Sequence, residues 1–389
     1  MHPRTWPGAI AIAVAAIVTL LPAGGDAHKP ITSPFTFNED VFPIINDRCA
    51  GCHHPGGVAP MSLLTHADAV PWGESMRAEL MAGHMPPWRI ETAAERFRNV
   101  RPLSGRELNV LLTWASGGTP PGDPAKAATL PARAPGWPLG APDLVLPMPN
   151  DVMLPADVQE QLVEFVVRPP REAGRFVRAV DLLPGTPAIV RSATVSVRPG
   201  SAADGAGVER VLALWAPGDH PVPADEGLGF ELPRESDVIV RIQYRKTWEY
   251  ENRAMTDRTA LGLYFADDAA TAIEALPLTG RTAADSSTAA TLAEPVRAIA
   301  IYPDPGFAEA AVTVVAVRPD RSRETLIAFR PRRGWARRYW FREPITLPRG
   351  TRIELQASAD AALLPPGAVA PATATADRFR LTLNVVPEK

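Results

Sequence analysis

From Asp143 to the C-terminus the sequence is punctuated into short apolar runs separated by turn residues, and no other feature constrains the fold as much. "QLVEFVVRP", "RFVRAVDL", "AIVRSATVSVRP", "SDVIVRIQYR", "AAVTVVAVRP", "ETLIAFRP" and "RFRLTLNVVP" are typical of the series. Roughly a dozen such runs, spaced about ten residues apart, read as antiparallel strands. The 43 prolines are about twice the usual share, and proline ends helices by removing a donor and fixing φ. The expectation is two antiparallel β-sandwich domains over 141–285 and 286–389, with the Thr/Ala/Ser-rich stretch 279–295 as the seam.

Upstream the period changes. "FNEDVFPIINDRC", "THADAVPWGESMRAELMAG" and "SGRELNVLLTWASGG" carry apolar residues at helical spacing, and the last opens with Ser104 and Glu107 in capping-box positions. Residues 28–122 therefore read as a small all-α domain, so the expected fold class is multidomain: a helical domain followed by two sandwiches. The Pro/Ala-rich 123–140 reads as a semi-stiff linker. Residues 1–27 have a basic start at Arg4, an apolar run from Ala9 to Pro22, and Gly25 and Ala27 before a cleavage point. This is the pattern of a secretory signal peptide, and it predicts a periplasmic or otherwise exported protein. No other stretch is long enough to cross a bilayer, so an integral membrane protein is not expected after cleavage. With a net charge of −3, no bulk attraction to nucleic acid is implied.

The chain has two cysteines, both in "DRCAGCHHPGG". Cys49, Cys52 and His53 have the C-x-x-C-H spacing of covalent haem c attachment: two thioethers to one haem, with the adjacent imidazole on the iron. A zinc site needs further ligands, a thioredoxin-type pair belongs beside a βαβ pattern, and a disulfide across three residues is strained. For the distal iron position, Met85 in "GHMPPW" is the expected ligand, with His84, another group or an open position as alternatives. Met76 and Met81 read as core filler on a helix, and His54 as a surface residue. Trp88 and Leu111 are expected to keep water off the macrocycle.

"FPIINDRCAGCHHPGGVAPMSLLTHADAVPW", "MPPW" and "LSGRELNVLLTWASGGTPPGDP", followed by "VRAVDLLPGTPAIV", "DVIVRIQY" and "REPITLPRGTRIEL", resemble a c-type cytochrome domain fused to a module similar to the copper type II ascorbate-dependent monooxygenases. The resemblance covers nearly the whole mature chain and implies two stacked jelly-roll-like β-sandwiches after the haem domain. Members of that family hold one copper with a His-His pair and a further histidine, and another with His-x-His and a methionine. Here Arg191-Ser192 stand at the pair, Gln243 precedes Tyr244 where a histidine is expected, and Tyr302 and Asp304 replace His-x-His. After His84 the only histidine is His220, read as a polar loop residue, so no copper is expected.

The stripe "RPRRGWARRYWFREP" places Arg332, Arg333, Arg337 and Arg338 among Trp335, Tyr339 and Trp340. Such interleaving can serve single-stranded nucleic acid. Export argues against that partner, and arginines on the wet face of a strand with aromatics inward are the simpler expectation. The sequence thus predicts a mono-haem electron carrier with one covalent haem c and no independent catalysis. Its expected partners are other redox proteins of the cell envelope, with the copper-less sandwiches serving for docking or scaffolding. The rival reading is a haem-linked, copper-dependent monooxygenase.

Overall fold

Alternating burial along short strands assembles the larger part of this chain into sheets. The computed structural model describes residues 32–88, 90–92, 94–130, 136–170, 174–200, 208–267, 270–281, 287–304, 311–332, 334–358 and 378–388. The signal-peptide expectation over 1–27 lies outside them.

In the first sandwich, Asp237–Arg245 lies between Glu160–Val167 and Val190–Arg198, with Arg210–Trp215 beyond, all antiparallel. A second sheet runs Leu144–Pro147, Ala260–Phe265, Arg175–Leu183, Leu228–Leu232 and Thr271–Ala272, the last pair parallel. Both contribute to one core in which Val195, Val240, Ile242, Leu261 and Leu263 have no exposed surface. Each such side chain contributes ~1.5–3 kcal/mol by leaving water. The buried Tyr244 hydroxyl donates to Asp257 Oδ2 (3.0 Å), which also accepts from Thr259 Oγ1 (2.7 Å). Thr186 N donates to the other carboxylate oxygen at 2.7 Å, so this polar cluster is satisfied.

The second sandwich pairs the sheet Glu274–Arg281, Arg378–Pro387, Val296–Pro303, Tyr339–Leu347 with the sheet Ser287–Thr291, Arg352–Ser358, Ala311–Val317, Arg323–Phe329. Glu274–Arg281 is in register with Arg378–Pro387 over its full length. Residues 274–281 and 287–291 thus belong to this sandwich, and among the described residues the chain has joined its sheets by Glu274, ahead of the seam expected at 279–295.

The expected fold class requires correction. Strands account for 40% of the described residues and helix for 17%, and no self-standing all-α domain forms among them. The α-helices are the short Phe42–Arg48, His66–Ala69, Gly73–Met81 and Gly105–Ser116. They share a small core of Phe37, Ile45, Leu111 and Trp114. Between the last two helices the chain leaves them for the second sandwich. Ile90 bridges Phe329 and Phe97 bridges Phe341, while Glu91 N donates to Ala328 O (2.8 Å) and Arg98 N to Trp340 O (2.9 Å). Phe97 and Val100 are buried in that sandwich's core. "RFRNVRP" has no helical apolar period, and its backbone donors and apolar side chains are satisfied by the edge of a sheet distant in sequence. The Ser104–Glu107 capping box forms as its sequence implies.

The arginine stripe departs from expectation in part: Tyr339 and Trp340 are inward as expected, but two of the arginines are inward with them. Arg337 and Arg338 are buried, not on the wet face. Arg338 donates to Leu212 O (2.6 Å) and Val211 O (2.9 Å) and lies 4.4 Å over the Phe230 ring and 4.8 Å over that of Tyr302. Desolvated cation–π contacts of this kind reach about 2 kcal/mol each. Arg333 lies outside the described residues. Among the described residues, no helix is long and apolar enough to cross a membrane.

Candidate haem site

The helix Phe42–Arg48 carries Pro43 in its first turn, where a missing N–H costs nothing, and it ends at Cys49. Cys52 N and His53 N then both donate to Cys49 O (3.1 and 2.9 Å), winding the C-x-x-C-H segment into one tight turn. The turn seats on the first sandwich. The Cys52 thiol donates to Pro217 O at 3.3 Å, and Gly51 meets Gly218, whose φ of +75° suits glycine.

His53 Nδ1 lies 3.2 Å from Met61 O. Facing a carbonyl, it must donate, which leaves the Nε2 lone pair free. Burial pulls the His53 pKa below its ordinary value, so the neutral imidazole is favoured. Cys49 and Cys52 form no disulfide. Burial, and then Cys52, push the Cys49 thiol up to about 12, while burial pushes Cys52 up to about 11 against the pull of Arg191 and Arg337. Neither is a thiolate near neutral pH, which disfavours a nucleophilic or metal-thiolate role.

Cys49, Cys52, His53 and Met85 line one cavity of about 100 Å³. Leu80, Leu103 and Trp88 make its wall apolar, and the sandwiches supply Arg191 and Trp335. Met85 is 39% exposed at this wall. Its loop is fixed by His84 N donating to Glu79 O (2.9 Å) and by Arg332 donating to His84 O (2.8 Å). The donor set fits a covalent haem: two neighbouring thiols, an imidazole with a free nitrogen and a thioether sulfur on a largely apolar cavity.

The other sequence candidates are placed elsewhere. The His84 ring turns to Glu79 Oε2 (3.1 Å), His66 Nε2 is within 2.8 Å of Thr119 O, and Met76 packs in the helical core. Met81 is 61% exposed. Trp88 lines the cavity, but Leu111 lies in the helical core. Of the positions where copper ligands would stand, Arg191 lines the same cavity as Cys52 and His53, Gln243 donates to Glu160 (3.0 Å), and Tyr302 packs under Arg338. His220 is an exposed loop residue, and with Gly218 and Asp219 it lines a cleft that also contains Cys49 and Cys52. The roles of Arg191, Gly218 and Trp335 were not legible in the sequence, because each arises from contact between distant segments. The glycine in "APGDH" is the one local signal.

No protein-family model matches the chain, and no curated protein matches it. Among solved structures, the STIV MCP is similar at 10% identity and a TM-score of 0.28, covering 62% of this chain and 96% of that one. The PBSX exported protein XepA is similar at 8% identity and a TM-score of 0.18, covering 66% of this chain and 99% of the other. Likenesses this faint carry no argument about fold or function.

Proposed function

We propose that this protein is an exported c-type electron carrier holding one haem, attached through Cys49 and Cys52, with His53 as proximal ligand and Met85 as distal ligand. The observation that supports this most is the convergence of those four side chains on one apolar cavity, with His53 Nδ1 committed to Met61 and Nε2 left free. The resemblance to cytochrome-linked copper monooxygenases supports the same reading of "CAGCH". Cys49 and Cys52 would hold the haem through thioethers at its two vinyl groups, and His53 and Met85 would bind its iron. The bound haem supplies a one-electron iron couple.

The protein's own groups set the conditions. Met61 O orients the imidazole, Leu80, Leu103 and Trp88 exclude water, and Arg332 anchors the Met85 loop. The sandwiches close the cavity with Arg191 and Trp335, so they act as a scaffold around the cofactor and carry no copper in this reading. Redox proteins of the cell envelope are the proposed partners. The test is an absorption spectrum of protein matured in a host competent in haem attachment, with copper analysis of the same sample. A six-coordinate low-spin c-type spectrum without copper is expected. Stoichiometric copper would favour a haem-linked monooxygenase, and a colourless product would overturn both.

A further inference from the structure

Strand Val190–Arg198 runs in regular antiparallel register against Asp237–Arg245 except at its start, where Val190 faces Tyr244 and Ser192 faces Gln243. Arg191 is the extra residue of this bulge, and a bulge bends the strand and re-aims a side chain. Here it delivers Arg191 to the cavity wall shared with Cys52 and His53, its guanidinium 5.6 Å over the Trp335 ring.

The other arginines around the cysteine turn are compensated. Arg48 pairs with Glu107 and Asp47, and Arg337 Nε donates to Asp219 at 2.9 Å. Arg191 has no carboxylate within ion-pair distance among the described residues, and its buried Nε has no hydrogen-bond partner. Glu160, whose field reaches it, already accepts from Gln243, while Arg245 adds a like charge. An arginine side chain keeps its proton throughout the working pH range. A lasting positive charge therefore stands on the wall of the cavity.

We propose that Arg191 tunes the haem as a positioning residue of the first sandwich, its uncompensated charge favouring the reduced iron over the oxidised iron and holding the reduction potential up. This rests on the haem reading above. Oxidation adds one positive charge at the iron. A unit charge about 10 Å away, at an effective dielectric constant of about 20, opposes that step by a factor on the order of ten. For a one-electron couple, tenfold corresponds to about 59 mV.

The experiment is a potentiometric titration of the haem-loaded full chain and of its Arg191→Gln and Arg191→Lys variants, with haem content counted by intact mass. The expected result is a potential lower by about 59 mV for Arg191→Gln, tenfold in the equilibrium constant, and a near wild-type value for Arg191→Lys. If Arg191→Gln alone fails to load haem while Arg191→Lys loads at the wild-type potential, the role still belongs to the charge. Equal potentials in wild type and Arg191→Gln, an equal fall in both variants, or loss of haem from both would overturn the inference. A colourless wild type would instead overturn the electron-carrier reading.

Discussion

Gly51→Ala probes how the C-x-x-C-H turn is seated on the first sandwich. A Cβ built at Gly51 lies 2.9 Å from Gly218 Cα and 3.4 Å from Gly218 O. Carbon pairs normally settle at about 3.5–4.0 Å, so the two backbones must part by roughly half an ångström or more. Neither side has a rotamer that could yield. The turn is held by the bonds to Cys49 O, and the opposing loop by Asp219 N donating to Ala216 O (3.2 Å) and by Arg337 on Asp219. Overpacking of this kind costs ~1–3 kcal/mol. The reduced freedom of the unfolded chain returns ~0.4–1 kcal/mol. The net loss of about 1–2 kcal/mol should lower Tm by roughly 2–8 °C for a unit of this size. The comparison is Gly105→Ala, where an added Cβ meets nothing within 4 Å. Thermal unfolding followed by circular dichroism and by tryptophan fluorescence separates the two. Equal midpoints for Gly51→Ala and Gly105→Ala would refute the contact between turn and loop.

Phe97→Ala should destabilise the second sandwich by ~3–5 kcal/mol, because the ring is fully buried 5.2 Å from Phe341 and 6.0 Å from Tyr339. Urea unfolding reads this, and a change under 1 kcal/mol would return residues 90–100 to the helices. Burial pushes the Asp181 carboxyl up to about 6, although Leu182 N and Trp215 Nε1 both donate to it. The folded state then holds its proton more tightly than the unfolded state, so stability falls as pH rises from about 4 to 6. Asp181→Asn keeps an acceptor for both donors, and chemical denaturation should find it more stable than wild type at pH 8 and level with it near pH 4; a pH-independent difference would contradict this. Met85→Ala should turn the reduced protein from one that resists carbon monoxide into one that binds it fully, and unchanged spectra would remove Met85 as ligand.

The strand-rich region was legible because period-two burial is written locally: "SDVIVRIQYR" becomes Asp237–Arg245 with Val238, Val240 and Ile242 inward. The haem reading of "CAGCH" draws on five adjacent residues, and the structure adds that Cys49, Cys52 and His53 line one cavity with Met85. The separate all-α domain failed for the opposite reason. Helical period at both ends led the stretch between them to be read as helical, yet Phe97 takes its partners from Tyr339 and Phe341, more than two hundred residues away. Arg337 and Arg338 were misplaced because charge ordinarily marks the wet face, and only tertiary contact supplies the rings and carbonyls that let a guanidinium be buried. Arg191 was read as a lost copper ligand. Its place on the cavity wall depends on a one-residue bulge that no sequence period announces.

The central claim is that Cys49 and Cys52 carry a haem. Peptide mass spectrometry of protein matured with the haem-attachment machinery tests it most directly. One haem should be found on the peptide spanning both cysteines, with no free thiol remaining. Unmodified Cys49 and Cys52, both titratable with a thiol reagent, would contradict the account.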